Sequence, residues 1–245
     1  MIQKIIDIFK ILSHPYGGVS FFKNNAKSIS SFKIISIVRN HIKTLNTIID
    51  IGANKGQFAF ASTRFFPMAN IYSFEPVPES FSKLTINCSD TPFIHPFNLA
   101  LGDTNGIINF FQNSHSHASS ALPTSSFQKR EIPKTSESTK IQVPVRRLDD
   151  IAKELPHLKH PILLKLDVQG YEKHVLEGAG EFIKVVDYLL FEASFVPMYE
   201  GEPLFDEMHS YVKALGFSLI GPVGSLQTSN NRIVQMDMLY QRNKS

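Results

Sequence analysis

Five polar positions stand where short apolar runs of this 245-residue chain end. Asp50-Ile51-Gly52-Ala53-Asn54-Lys55-Gly56 closes the run 47–51, Glu75 closes 70–74, Asn98 closes 93–98, Asp167 follows 162–166 and Glu192 follows 188–191. In an open α/β sheet, ligands bind beyond the carboxyl ends of the strands. One polar residue at such an end carries little weight, whereas five describe one pocket along one sheet edge. Gly52 lets the chain turn without a Cβ clash, and Gly56 lets the start of a helix pack near a ligand. A pyrophosphate cradle needs G-x-G-x-x-G. Here the spacing is G-x-x-x-G after an aspartate, which points away from a dinucleotide. Glu75, 25 positions after Asp50, can accept hydrogen bonds from both hydroxyls of a ribose and would repel a 2′-phosphate. Ribose binding of this kind fits adenosine cofactors generally and disfavours one with a 2′-phosphate. Asp50 suits a cationic amino-acid end of such a ligand, directly or through water.

The elements that must position these residues follow from periodicity. From residue 45 onward, apolar runs at 47–51, 70–74, 93–98, 162–166 and 188–191 alternate with helical stretches at 56–66, 78–87, 171–177 and 203–215. That alternation is the pattern of βαβ units on a parallel sheet. Segments 106–112 and 139–145 read as two further strands, and 217–221 with 233–241 as an antiparallel pair joined by a long Gly/Ser/Asn connection, 221–232. An aspartate is expected to cap the helix opened by Leu148-Asp149-Asp150-Ile151. The stretch 113–138, rich in Ser and Thr, reads as too polar for core and longer than a typical loop, hence functional or disordered. The leader predicts two helices, 2–12 and 28–43. It carries Lys4, Lys10, Lys23, Lys27, Lys33, Arg39 and Lys43 against Asp7 alone, while the whole chain has a net charge of only +3. Such a basic leader suits anionic lipid, nucleic acid or an acidic partner, or is a solvated helical face.

Composition bounds the rest. A hydrophobic fraction of 42% and a charged fraction of 19% suit an ordinary globular protein, with 20 Phe supplying the aromatic bulk that the absent Trp does not. The single cysteine, Cys88, rules out an internal disulfide and reads as a buried or half-buried thiol in a reducing compartment. No apolar run approaches the roughly 18–20 residues that span a bilayer, and no signal-peptide pattern opens the chain. A cytoplasmic protein is expected, with a membrane-peripheral placement open through the leader.

The segments I-I-D-I-G-A-N-K-G-Q-F (48–58), F-E-P-V-P (74–78), N-L-A-L-G-D (98–103), R-R-L-D-D (146–150), K-L-D-V-Q-G-Y-E-K-H-V-L-E-G-A (165–179) and M-D-M-L-Y-Q-R (236–242) resemble the FkbM family of methyltransferases. The resemblance covers about 45–242 with the motifs in family order, and the first and fifth segments are specific as a pair. It implies an α/β fold of the class I methyltransferase (Rossmann-like) type, a seven-stranded sheet with its last strand antiparallel, plus an N-terminal helical segment. It also implies S-adenosyl-L-methionine as donor and, as in most known members, a hydroxyl acceptor on a sugar, polyketide or related product. Residue by residue, it places Asp50, Gly52, Asn54, Gly56 and Phe58 in the cofactor turn and Glu75 with Pro76 at the ribose. Asn98, Ala100 and Leu101 fall around the adenine, and Asp167 and Gln169 beside the transferring methyl. On this reading 1–44 is a lid, dimer or membrane-docking element and 45–245 the methyltransferase domain.

Methyl transfer from a sulfonium is an in-line displacement that neutralises charge, so alignment matters more than oxyanion stabilisation. A sugar hydroxyl still needs a general base. Asp167 and Glu192 rank first because adjacent strand ends bring them together; His117 ranks third, and His115 stands beside it. No metal site is assigned, because H-x-H at 115–117 gives the Asp167 and Glu192 pair no firm third ligand. His174 reads as structural, and 195–200 offers aromatics for either an acceptor platform or core packing. The expected partner is a small-molecule or glycan hydroxyl. No nucleic acid is expected, since Asp167-Val168-Gln169-Gly170 stands where an N-P-P-Y-type segment would serve an exocyclic amine. N-methylation, a nucleic-acid acceptor and an NAD-dependent oxidoreductase are the competing functions, and a homo-oligomer is left open.

Overall fold

A computed structural model describes residues 2–228 and 230–243. Three leader helices, α1 (Ile2–Ser13), α2 (Val19–Lys23) and α3 (Ile29–His41), precede the sheet. There follow β1 (Thr47–Ile51), α4 (Gln57–Phe65), β2 (Asn70–Phe74), α5 (Pro78–Asn87), β3 (Ile94–Phe97), β4 (Ala100–Leu101), β5 (Gly106–Asn113), α6 (Ser126–Glu131), β6 (Ser138–Arg146) and α7 (Leu148–Ile151). The chain closes with β7 (Ile162–Leu166), α8 (Glu172–Gly178), β8 (Tyr188–Ser194), α9 (Phe205–Ala214), β9 (Phe217–Gln227) and β10 (Ile233–Arg242). Seven strands form the main sheet in the order β3-β2-β1-β7-β8-β10-β9. The first five are parallel and β10 pairs antiparallel with both neighbours. This is the class I methyltransferase arrangement. The order reverses between β1 and β7, so the loops after these two strands diverge and open a crevice at their carboxyl ends.

β1 and β7 are buried at every position because helices cover both faces of the sheet. One core layer joins Ile49, Tyr72, Leu164 and Leu189 to α7, α8 and α9. The opposite layer joins Ile48, Ile71, Leu163, Leu190 and Leu239 to α4 and to the leader's Phe21, Phe32, Ile35 and Val38. Arg64 of α4 adds donations to Tyr16 O and Gly17 O, both at 3.1 Å, so the second half of the leader is built into the sheet's outer layer. Among the described residues, no helix is long and apolar enough to cross a membrane.

Three expectations change. The stretch 113–138 is neither loose nor excluded from the interior: Asn113, Ser120, Thr124, Ser125, Gln128 and Thr135 are buried. Asn113 Nδ2 donates to Thr135 O at 2.8 Å, Ser125 Oγ to Pro197 O at 2.7 Å, and Ser125 Oγ caps α6 by accepting from Gln128 N at 3.1 Å. Polar residues enter a core when they bring their own partners, which composition does not show. The helix at 148 begins after Arg147 with no side-chain cap; Asp149 instead accepts from Phe182 N at 3.0 Å. Most of the expected 221–232 connection is strand, since β9 runs on to Gln227 through shifts of register against β10; Ser229 lies outside the described residues.

Candidate functional site

Gly52 sits with φ +79°, and a Cβ there would lie 1.9 Å from Asp167 O. The close approach of the two diverging loops, β1 to β7, therefore demands glycine. At Gly56 (φ +87°) a Cβ would meet Cys88 Sγ at 2.8 Å and Leu84 Cδ1 at 2.9 Å. The glycine at the head of α4 thus makes room for α5, a packing reason beyond closeness to a ligand. Burial pushes the Cys88 thiol up to about 12, leaving it an inert packing group.

Beyond the turn lie two cavities. The first is a narrow slot with about 50 Å³ of room for solvent. Ile51, Phe74, Leu101, Phe110 and Tyr171 form apolar walls, and Glu75 and Asn54 supply the polar edge. The second, about 650 Å³, extends toward α3 and α6 and mixes apolar walls with hydroxyl, amide and charged side chains. Gly52, Asn54, His117, Asp167 and Gln169 line both, so the cavities meet there.

Glu75 is 6% exposed. Its Oε2 accepts from Asn54 N at 2.8 Å and its Oε1 from Val77 N at 2.9 Å, which leaves each oxygen one further lone pair. Burial raises its pKa to about 7 against those two donors. Pro76, Ala100 and Leu101 line the first cavity, as does Leu99. Asn98 does not: its amide donates to Glu75 O at 2.9 Å and Pro76 O at 3.1 Å and so sets the shape of the β2 exit. Asp50 is fully buried behind the cavities. Its Oδ1 lies 2.8 Å from Lys165 Nζ.

Lys165 was not singled out in the sequence, although a lysine inside Ile162-Leu163-Leu164-Lys165-Leu166 is a signal in an otherwise apolar strand. Its ammonium lies 3.5 Å from Asp167 Oδ2 and 5.4 Å from the centre of the Phe58 ring. Burial disfavours its charge, but Asp50, Asp167 and Asp237 outweigh burial and raise the pKa above the ordinary lysine value. Asp237, also unpredicted, pairs in register with Glu192 on one side and Gly224 on the other. Its carboxylate fills the place of a Gly224 Cβ, 2.2 Å away.

Glu192 reaches the second cavity from β8. Its Oε2 accepts from Gln169 Nε2 and from Gln235 Nε2, both at 3.0 Å, and among the described residues Oε1 has no donor. Burial first, then Asp167, Asp237 and Glu172, raise its pKa well above the usual carboxylate value. Burial takes Asp237 to about 7 and Glu172 to about 8. Because the folded chain binds these protons more tightly than the unfolded one, the stability these three groups contribute declines as pH rises from about 4 toward 8.

Asp167 and Glu192 are thus brought together as expected, with Gln169 between them. His117 stands at the mouth, its Nε2 3.4 Å from Gln57 Nε2; its surroundings lower its pKa against the pull of Asp167. The aromatics of 195–200 do not form a platform: Tyr199 is buried, and Phe195 stacks on Phe205 at 5.1 Å. His174 pairs with Asp103 at 3.1 Å and stacks on Tyr171 at 4.3 Å, a supporting role outside both cavities.

A family model described as the methyltransferase FkbM domain matches residues 50–219, a span that holds the turn, the Glu75 edge and the Asp167 junction. The chain belongs to the FkbM methyltransferase family. It is 29% identical over 189 residues to the 2-O-methyltransferase NoeI of Sinorhizobium fredii, covering 74% of this chain and 77% of that protein. It is 30% identical over 145 residues to Methyltransferase 1 of Beauveria bassiana, covering 55% of this chain and 58% of that one. With the hexuronic acid methyltransferase AglP of Haloferax volcanii it shares 25% identity over 161 residues, covering 65% and 60%. The matches thus span only about three-fifths of the length of two of these relatives.

S-adenosylmethionine is the cofactor of this FkbM chain, and the site fits it. An apolar slot with one buried carboxylate suits adenosine. Among the described residues, Asp50 Oδ2 and Asn54 Oδ1 are buried acceptors without a hydrogen-bond partner, beside a junction in which Lys165 faces Asp50, Asp167 and Asp237. An acidic junction of this kind suits a ligand end carrying a sulfonium and an ammonium.

Proposed function

We propose that this FkbM chain methylates a hydroxyl of a sugar or glycan. The observation that carries the reading is the second cavity. It meets the first at Asp167 and Gln169, and Ser30, Ser31, Gln128, Thr228 and Gln235 wall it with groups that hydrogen-bond hydroxyls. The names of NoeI and AglP point to the same acceptor class. When bound, S-adenosylmethionine supplies an electrophilic methyl carbon. Glu75 holds the ribose hydroxyls, and Pro76, Ala100 and Leu101 bound the adenine slot. Glu192 takes the acceptor proton at Oε1, and Asp167 and Gln169 align the reacting groups. Holding the reactants in line supplies up to roughly 7–11 kcal/mol, and the base roughly 10²–10⁴-fold more. The test is calorimetry with S-adenosylmethionine, followed by a methyl-transfer screen of nucleotide sugars and glycan precursors. Methylation of amines with no sugar hydroxyl modified would overturn the reading.

The ribose role has its own pH signature. A carboxylate with a pKa of about 7 accepts from two hydroxyls only when ionised. The dissociation constant for S-adenosylmethionine therefore rises about tenfold for each pH unit below that value. Glu75→Gln weakens binding at pH 8 by roughly 10–100-fold, the worth of charge-assisted hydrogen bonds, and flattens the profile. Calorimetry from pH 5.5 to 8.5 decides; a flat wild-type profile removes Glu75 from the ribose.

The leader supports a peripheral contact with an anionic membrane. α1 turns Asp7 and Ile11 inward and leaves Ile5, Ile6, Phe9 and Leu12 exposed, Phe9 by 67%, on a helix flanked by exposed Lys4 and Lys10. A second copy would bring like charges together, which favours lipid over self-association. Full-length protein is expected to sediment with vesicles containing phosphatidylglycerol but not with phosphatidylcholine alone. An Ile5→Asp, Phe9→Asp variant should stay in the supernatant. Equal partitioning of the two proteins ends the idea.

A further inference from the structure

One amide joins the two carboxylates at the cavity junction. Gln169 Nε2 donates to Asp167 Oδ1 at 2.8 Å and to Glu192 Oε2 at 3.0 Å. Two anions that close repel unless a donor lies between them. A glutamine amide is nearly symmetric in shape, and a half-turn exchanges Nε2 with Oε1. The turned amide would aim an acceptor at two acceptors. Only one orientation satisfies the group, and both carboxylates call for it. Tyr199 locks it from the other side: its hydroxyl donates to Gln169 Oε1 at 2.7 Å. The Tyr199 ring is 1% exposed and packs with Val196, Met198 and Val234. Gln128 Nε2 donates to the same hydroxyl at 3.4 Å, and of the phenol's two acceptors Gln169 Oε1 is nearer than Ala118 O, which lies at 3.4 Å. The Gln169 backbone is held too, with φ +57°, its carbonyl accepting from Ser120 Oγ at 2.7 Å. A non-glycine residue in that region is costly and persists only when its surroundings impose it.

We propose that Tyr199 is a positioning residue for methyl transfer, acting through the Gln169 amide to hold Asp167 and Glu192 together with Glu192 free to accept a proton. The inference rests on the reading of Glu192 as the base. It also assigns a task to the segment 113–138, whose Ser120 and Gln128 brace the two ends of the device. The groups that face Glu192 are Lys165 of β7, Asp167 after it, Glu172 of α8, Asp237 and Gln235 of β10, and Glu202 and Tyr199 beyond β8, with His117 across the cavity. Tyr199→Phe alters the ionic charge of none of them. A change in Glu192 titration in that variant therefore reports the amide.

The test is a carbon-detected NMR titration of the side-chain carboxyls in the full chain, with Glu192 identified by its loss in Glu192→Gln. In Tyr199→Phe, half-titration of Glu192 is expected about one pH unit higher, because a donated hydrogen bond is lost. Affinity for S-adenosylmethionine should stay within about twofold as the check on folding. Gln169→Leu should give the same displacement, and Tyr199→Phe added to Gln169→Leu should add nothing. An unmoved Glu192 in either single variant, or equal displacement by Tyr199→Phe in both backgrounds, overturns the proposal. The methyl-transfer screen stands apart: its failure would overturn the base assignment, while the titration would still decide whether Tyr199 sets the amide.

Discussion

Lys165→Met is expected to lower the unfolding free energy by about 3–5 kcal/mol at neutral pH, the usual cost of leaving one partner of a buried ion pair alone. Asp50 is fully buried, and Lys165 Nζ at 2.8 Å is the only cation beside it among the described residues. The unpaired Asp50 carboxyl then takes up a proton more readily in the folded chain than in the unfolded one. The lost stability is therefore present at acid pH, below the unfolded carboxylate's range, and disappears as pH rises through the raised folded value. Urea unfolding followed from pH 4 to 8 measures both the magnitude and the slope. Adding Asp50→Asn should restore most of the loss. A Lys165→Met protein within about 1 kcal/mol of wild type at every pH would show that the pair is not a structural unit. The consequence reaches function, since the same ammonium lies 3.5 Å from Asp167 Oδ2 and so fixes the charge at the junction.

Glu192→Gln is expected to reduce kcat by roughly 10²–10⁴-fold, the range for loss of a general base, with S-adenosylmethionine affinity unchanged. The substitution keeps shape, and the carbonyl of the new amide can still accept from Gln169 and Gln235, so thermal stability should hold. In wild type the ionised form is the active one, and burial with Asp167, Asp237 and Glu172 holds its pKa well above the usual carboxylate range. Turnover should therefore rise with pH through that elevated value, and the limb should vanish in the variant. Single-turnover rates across pH for both proteins give the answer. Asp167→Asn is the companion measurement. If Asp167 is the base instead, its loss abolishes turnover while Glu192→Gln retains it.

Much of this is legible in the sequence. Strand ends are local events: apolar runs of five residues broken by Gly52, Pro76 and Gly170 place β1, β2 and β7 correctly, and Glu75 and Asp167 fall at their exits for that reason. What was not legible is of another kind. Gly56 serves α5, and its neighbour Cys88 is 32 residues away in sequence. Asn98 faces backbone oxygens and not the cavity. The stretch 113–138 sends side chains into the core because Asn113, Ser125 and Gln128 find partners as distant as Pro197 and Tyr199. Lys165 and Asp237 left a trace, each a charge inside an apolar strand, but their partners come from other strands.

The sequence by itself determined the order of elements, the turn whose spacing points away from a pyrophosphate and the carboxylates available for chemistry, because those depend on residue type and on spacing within one βαβ unit. The tertiary structure alone decided which carboxylates share a proton-binding environment, which glutamine lies between them and which tyrosine holds that glutamine. Those are contacts across three strands and a distant helix, and register sets them: Asp237 opposite Glu192, and Lys165 beside Asp50. Hydrogen-bond direction and burial exist only once the strands are laid side by side.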